Sequence, residues 1–257
     1  VQQLSYFQGA YGEGDITAAS NATTASSGGV NGFVDSNGVQ RYSFIDENQH
    51  IQEIVFNQGV WSLVDLTNAA SVLPIVTGGR IGGFATSYDQ HWIYEAADGH
   101  IYQIVLTNST NAYSSTDLTS AASAPLAGPD SGISGYVDLN GYQHFVYVGT
   151  DQHVFQIVYS NSTWGCGDLT VAANAPIADI GSAVSAFVDG NGEQHYVYVS
   201  GGQMVWQIGF YNGTFGIDDM SQAAGAPAVG GGVAPTAPVR EYLYFNGRVV
   251  AIENGGL

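Results

Sequence analysis

The sequence holds no lysine and only four arginines, Arg41, Arg80, Arg240 and Arg248, against 22 acidic residues, for a formal net charge of -18 at pH 7. Binding phosphates requires clustered cations, and so does docking on an anionic bilayer, so nucleic acid and membrane insertion are excluded as functions. A single cysteine, Cys166, leaves no intramolecular disulfide framework. It stands where other copies of the repeat have Glu13, Ser115 and Ile217, so it is given no catalytic role. No apolar run reaches the length of a membrane span, and helix-period patterning is absent. No signal peptide is visible, although Val1 in place of methionine suits a processed or trimmed chain, and a secreted or extracellular location is favoured.

Repetition fills the space left by these absences. An Asp-Leu-Thr signature begins at Asp15 (as D-I-T), Asp65, Asp117, Asp168 and Asp219 (as D-M-S), at intervals of 50, 52, 51 and 51 residues. Counted from Asp219 through Leu257 and on from Val1 to Asp15, the remaining interval is 53, so one period tiles all 257 residues. The segment Glu241 to Gly256 aligns with Gly135 to Thr150, and Val1 to Asp15 aligns with Val154 to Asp168. The fifth unit is therefore split between the two ends.

Within a unit, two runs of alternating apolar and polar residues meet at a tight turn, a third short run follows, and the signature opens a small-residue connector. Glycine, at 35 residues, is about twice its usual share of roughly 7%, which suits many tight hairpins. The Thr or Ser of the signature is expected to cap one helical turn, stopped in the later copies by the proline of A-A-S-A-P, A-A-N-A-P or A-A-G-A-P. Inner strands are expected at 32–35, 82–86, 134–138, 185–189 and 241–245. Three of them end in D-x-N-G, at Asp35, Asp138 and Asp189, which is read as a type I′ turn in preference to a calcium loop. Four-strand units whose terminal copy is shared by the two chain ends predict an all-β fold, a five-bladed β-propeller with four-stranded antiparallel blades. It forms a single domain over residues 1–257, its ring closed by N- and C-terminal strands in one blade.

Two polar positions recur inside otherwise apolar strands. Arg41, His91, His144 or His195 stands on the second strand, and Glu53, Gln103, Gln156 or Gln207 stands on the third, twelve residues later in each case. A buried polar group needs a partner, so either the two bond each other as scaffold or they face a small ligand between blades. A sugar would use a fork-like donor, an amide or carboxylate acceptor, and an apolar face. Aromatics lie three residues past the acceptor at Phe56, Tyr159, Phe210 and Tyr6, with Leu106 in the remaining copy. A second aromatic series, Tyr11, Trp61, Tyr113, Trp164 and Phe215, precedes every signature aspartate by four residues and is read as packing.

Together, the Arg41 and Glu53 pair, the aromatic after a glycine-rich turn and the D-L-T-x-A-A-x-A-P connector resemble the β-propeller lectins typified by the fungal fucose-specific lectins and their bacterial relatives. The resemblance implies that arginine and glutamate hold sugar hydroxyls while aromatics stack on the ring. The expected binding residues are Arg41, Glu53, Phe56, His91, Gln103, His144, Gln156, Tyr159, His195, Gln207 and Phe210, forming multiple equivalent sites between blades, up to four, with glycans or glycoconjugates as partners, no cofactor, no metal and no catalysis. Only one copy keeps the Arg and Glu pair, and the split unit has Val250 with Gln3. The family is typically six-bladed and places an aromatic four residues after the arginine, where this chain has Ile45, Glu95, Val148 or Val199. The sugar therefore stays open between fucose and N-acetylated or methylated sugars. Two other classes remain: a structural or protein-interaction propeller, and a five-bladed glycoside hydrolase. The latter would need a carboxylate pair that Glu95, Glu241 and Glu253 do not form.

Overall fold

A computed structural model describes residues 1–7, 10–26, 29–129, 131–229, 240–245 and 248–253, with the side chains of 6–11 and 240–253 outside the description. The expectations placed on Tyr6, Tyr11 and Val250 fall among those side chains. The chain opens with β1 (Gln2–Phe7), β2 (Ala10–Asp15) and the short helix α1 (Ile16–Ser20). The first complete unit is β3 (Asn31–Val34), β4 (Gln40–Ile45), β5 (Ile51–Asn57), β6 (Val60–Asp65) and α2 (Leu66–Ala69). The second is β7 (Ile81–Ala85), β8 (Asp89–Glu95), β9 (Ile101–Thr107), β10 (Ala112–Asp117) and α3 (Leu118–Ala122). The third is β11 (Ile133–Val137), β12 (Gln143–Val148), β13 (Val154–Ser160), β14 (Thr163–Asp168) and α4 (Leu169–Ala173). The fourth is β15 (Val184–Val188), β16 (Gln194–Ser200), β17 (Met204–Tyr211), β18 (Thr214–Asp219) and α5 (Met220–Ala224), and β19 (Arg240–Phe245) and β20 (Arg248–Glu253) follow.

Each complete unit is one antiparallel four-stranded sheet in up-and-down order. The inner strands β3, β7, β11 and β15 lie beside one another in sequence order, so the sheets turn about a common axis as propeller blades do. The terminal strands form two hairpins, β1 with β2 and β19 with β20. β1 and β20 are neighbours, but among the described residues no ladder joins them into the shared four-stranded sheet that was expected.

Alternation gives each sheet two faces, and successive complete units pack the face of one sheet against the opposite face of the next. On one face a small inner residue (Gly32, Gly83, Gly135 or Ala186) pairs with Tyr42, Trp92, Phe145 or Tyr196, which pairs with Ile54, Ile104, Ile157 or Ile208. All four isoleucines, with Trp92, Phe145 and Tyr196, are fully buried. The inner residue is small because the preceding blade presses on it: a Cβ on Gly135 would lie 2.4 Å from Ile93 Cδ1 and 2.8 Å from the Phe84 ring.

The connectors correct the expected cap. The N-cap is the signature aspartate, whose extended backbone ends the outer strand and whose carboxylate accepts the N–H of Ala18, Asn68, Ser120, Val171 or Gln222 at 2.8–3.0 Å. The Thr or Ser already stands inside the helix. From there Thr67, Thr119, Thr170 and Ser221 accept the N–H of Ile51, Ile101, Val154 and Val205 at 2.8–2.9 Å. Four of the five helices stop at a left-handed residue, Asn21, Ser123, Asn174 or Gly225, before any proline is reached. Beyond the helix, the connector ties two blades together: Ile75, Ala127 and Ala178 donate N–H to Gln49, Gly99 and Gln152 of the blade behind while bridging Ala96, Gly149 and Ser200 of the blade ahead.

The D-x-N-G segments are turns, as expected, but of another type. Gly38, Gly141 and Gly192 have φ of 77°, 81° and 86° and bond back to the aspartate carbonyl, while the two central residues keep negative φ. This is a type I turn closed by a left-handed glycine, the three-residue relative of the primed hairpin turn.

Substituting Gly135 by Val should destabilise the fold by about 1–3 kcal/mol through overpacking against Ile93 and Phe84. Thermal melting that leaves the midpoint unchanged would contradict this packing.

Candidate functional site

The recurring pairs occupy the other face of each sheet. Arg41, His91, His144 and His195 lie directly across the ladder from the inner-strand aromatics Phe33, Phe84, Tyr136 and Phe187. The three histidines stack flat on those rings, with centroids 4.7, 4.7 and 4.8 Å apart. The third-strand partner stands on the same face, one row further along. Arg41 Nη1 donates to Glu53 Oε2 at 3.1 Å, Gln103 bonds His91 Nδ1, and His195 Nδ1 lies 3.3 Å from Gln207 Oε1. Gln156 donates to Tyr196 Oη of the next blade at 2.6 Å and to Tyr136 Oη of its own blade at 3.3 Å.

A third member of three of the four sets was not identified in the sequence: the turn aspartate six residues before the basic position, Asp35, Asp138 or Asp189, where the second unit has Ala85. One carboxylate oxygen of Asp35 accepts the N–H of Asn37 and Val39, and the other takes Arg41 Nε at 3.1 Å. Asp138 is held in the same way and lies 3.4 Å from His144 Nε2. In the fourth unit Asp189, Glu193 and His195 each bring a possible ligand atom within 4.8 Å of the others. The fixed spacing of six was the available signal, masked because a D-x-N-G turn already explains its aspartate.

The aromatics expected to complete the site do not share a face with their own acceptor. Three residues along a strand lead to the opposite side, and Phe56, Tyr159 and Phe210 pack there on Trp61, Trp164 and Phe215 at 4.5, 4.6 and 4.8 Å between ring centroids. That face meets the preceding blade. A pair is therefore completed by aromatics of the following unit: Trp92 and Tyr113 stand opposite Arg41 and Glu53, with Trp92 6.0 Å from Phe33. The fourth unit adds an aromatic of its own, because Tyr211 shares the pair's face, lies over Gly209 and accepts from Gln207 at 2.8 Å.

The gaps differ in how their polar atoms are satisfied. Between the third and fourth units, Gln156, Tyr136, Tyr196 and Gln194 bond one another across the gap. At the first unit's other face, Gln3 donates to Tyr42 Oη at 2.7 Å, and Tyr42 donates to Gln40 at 2.6 Å, repeating the Gln156, Tyr196 and Gln194 arrangement. Gln103 reaches Gln143 at 3.5 Å. Between the first and second units a row of Asn31, Ser43 and Glu53 crosses three strands, where the other sheets carry Ile93, Val146 or Val197 in the middle. Asn31 Nδ2, Ser43 Oγ, Glu53 Oε1 and Trp92 Nε1 are all buried without a protein partner.

Burial raises the Glu53 carboxyl to about 7 despite the pull of Arg41, and burial lowers His91 to about 4. Tyr113 is pushed up by burial and by the Glu53 charge, with Arg41 pulling the other way.

No protein-family model and no curated protein matches the sequence. Among solved structures, a triple arginine-to-alanine mutant of AofleA from Arthrobotrys oligospora is similar at a TM-score of 0.65 and 11% identity over 85% of this chain, which spans 64% of that protein's length. The Aleuria aurantia lectin, described as a six-bladed β-propeller with a novel fucose recognition mode, is similar at 0.61 and 13% over 88% of this chain and 76% of its own. The SapL1 lectin in complex with α-methyl fucoside is similar at 0.61 and 13% over 96% of this chain and 86% of its own. The shared feature at these identities is the β-propeller fold.

The two shifted groups give opposite pH dependences. Between about 4.5 and about 7 the folded chain holds a proton on Glu53 that the unfolded chain releases, so stability falls as pH rises through that window. Between about 6.5 and about 4 the unfolded chain protonates His91 while the folded chain does not, so stability falls as pH drops. Replacing Glu53 by Gln should remove the first dependence, raising stability at pH 7 relative to pH 4.5 by on the order of 3 kcal/mol against the parent chain. Urea midpoints at the two pH values measure it, and parallel shifts in both proteins would place Glu53 outside the buried site.

Proposed function

We propose that this chain is a carbohydrate-binding propeller, a non-catalytic lectin, and that its principal glycan site is the gap between the first and second complete units. The observation that carries the reading is the convergence there of buried, unpartnered polar atoms of both kinds: donors on Asn31 and Trp92, an acceptor on Glu53 and a hydroxyl on Ser43. Leaving a buried polar group unpaired costs about 1–3 kcal/mol each. A sugar offers hydroxyls to all of them, and its C–H face suits the rings of Trp92 and Tyr113. The fold likeness to lectins described with fucose or a fucoside agrees with this class of ligand.

The other pairs, His91 with Gln103, His144 with Gln156, and His195 with Gln207, belong to the same design, with the amides of Gln103, Gln156 and Gln207 bonded within the protein while His91 Nε2 and both His144 ring nitrogens are buried without a hydrogen-bond partner. Gln156 is the strongest case, since its amide already ties two blades. Asp35 and Glu53 are the acidic groups at the gap, and both bind the one arginine, Arg41. A hydrolase would need them released for proton transfer and nucleophilic attack.

The same reading closes the ring at five blades. Gln3 makes toward Tyr42 the bond that Gln156 makes toward Tyr196, and Thr17 bonds Val1 as Thr170 bonds Val154. The N-terminal hairpin thus occupies the outer half of a fifth unit, with β19 and β20 as its inner half. Deleting residues 1–15 should expose a sheet edge and lower the melting temperature, with aggregation on heating. A truncated chain that melts like the full one would open the ring.

Calorimetric titration with fucose, N-acetylglucosamine and O-methylated monosaccharides should give one site per chain for at least one sugar. Replacing Arg41 by Ala should weaken it about tenfold or more. Replacing Gln156 by Ala should leave binding intact and cost about 1–3 kcal/mol of stability. Stoichiometry lower by one in the Gln156 variant would restore that gap as a site. Reducing-end release from oligosaccharides would establish a hydrolase.

A further inference from the structure

An open cavity of about 590 Å³ lies over the turns that join the first and second strands of three successive units. Asp35 and Ser36 come from the first unit, Ser87, Tyr88 and Asp89 from the second, and Gln143 from the third. Neither Glu53 nor the aromatics Trp92 and Tyr113 line it.

The second unit departs from its neighbours at this point. Its turn is one residue shorter and has no D-x-N-G: Thr86 Oγ1 takes the place of the aspartate carboxylate, accepting the N–H of Tyr88 and Asp89 at 3.0 and 2.9 Å. The Tyr88 carbonyl accepts the Asn108 N–H at 2.9 Å, and Ser36 Oγ donates to the Ser87 carbonyl at 3.3 Å. The turn is thereby held from three sides, yet its aromatic side chain is 76% exposed. A large aromatic carried on a hydrogen-bonded turn beside a cavity is a stacking platform whose backbone ordering cost is met before a ligand arrives. Below it, Asp89 Oδ1 is buried without a partner.

We infer that this cavity is a second ligand site, separate from the gap between units, and that it takes a neutral, hydroxyl-rich chain such as an oligosaccharide. Tyr88 stacks on the apolar face of one sugar ring, Asp89 Oδ1 accepts a hydroxyl, and Ser36, Ser87 and Gln143 offer further hydroxyl and amide partners. Two carboxylates and no lining cation exclude an anionic ligand. Asp35 is already paired with Arg41, and the volume falls in the range of a small-molecule pocket, far beyond the needs of a lone cation.

The test is calorimetric titration of the full chain with chitotriose, mannotriose and maltotriose, repeated with Tyr88→Ala, Asp89→Asn and Glu53→Gln. At least one trisaccharide should show a binding step that Glu53→Gln retains, and Tyr88→Ala should weaken that step about tenfold or more while the melting temperature stays unchanged. Because Glu53 belongs to the gap and does not line the cavity, failure of the gap reading leaves this result untouched. The inference is overturned if no trisaccharide binds, if Glu53→Gln removes the binding, or if Tyr88→Ala leaves it intact. It is also overturned if calcium chloride alone gives an isotherm that Asp89→Asn abolishes.

Discussion

A polar side chain caught between two packed sheets has no water to turn to, and most of this molecule's chemistry follows from that constraint. Each blade presses its polar face onto the aromatic face of the next, with a glycine or alanine at the point of closest approach. Arginine, histidine, glutamate and glutamine in those faces must therefore be satisfied within the gap, by the protein or by a ligand, because leaving them bare is too costly. Structural tether and binding site are thus two outcomes of one arrangement.

The gaps illustrate both outcomes. Where the following blade supplies Tyr196 beside Gln194, or Tyr42 beside Gln40, a phenolic hydroxyl reaches the third-strand amide and the polar atoms close on one another. Where it supplies Trp92, the indole N–H finds no partner and neither does Glu53 Oε1. Replacing a hydroxyl that both donates and accepts with an N–H that only donates changes a self-satisfied contact into an unsatisfied one. Asn31 and Ser43 add two more such atoms in that gap alone, so the gap that keeps the arginine and glutamate also keeps unused bonding capacity.

Much of this was legible before any coordinates. The fifty-residue period, the order of the strands and the twelve-residue spacing of the polar pairs all follow from local pattern, since alternation and turn residues act over short distances. Three readings failed for reasons equally physical. The helix cap went to aspartate because the cap position requires the extended backbone at the end of a strand, which Thr67 and its equivalents have already left. The glycine turns proved to be type I because only the glycine adopts positive φ. The aromatics Phe56, Tyr159 and Phe210 were grouped with their own acceptors by nearness in sequence, although an odd offset along a strand crosses to the other face.

Sequence by itself determined what recurs: the period of the units, their strands, the pairs inside them and the poverty in cations. Those properties depend on neighbours within a few residues, or on a simple sum of charges. Only the tertiary structure decided which blade faces which, and therefore that the sheet of Glu53 faces Trp92 while Gln156 meets Tyr196. Those partners lie some 40 residues apart along the chain. Whether a buried amide is satisfied depends on the geometry of one hydroxyl brought across the gap, and no periodicity in the sequence records that.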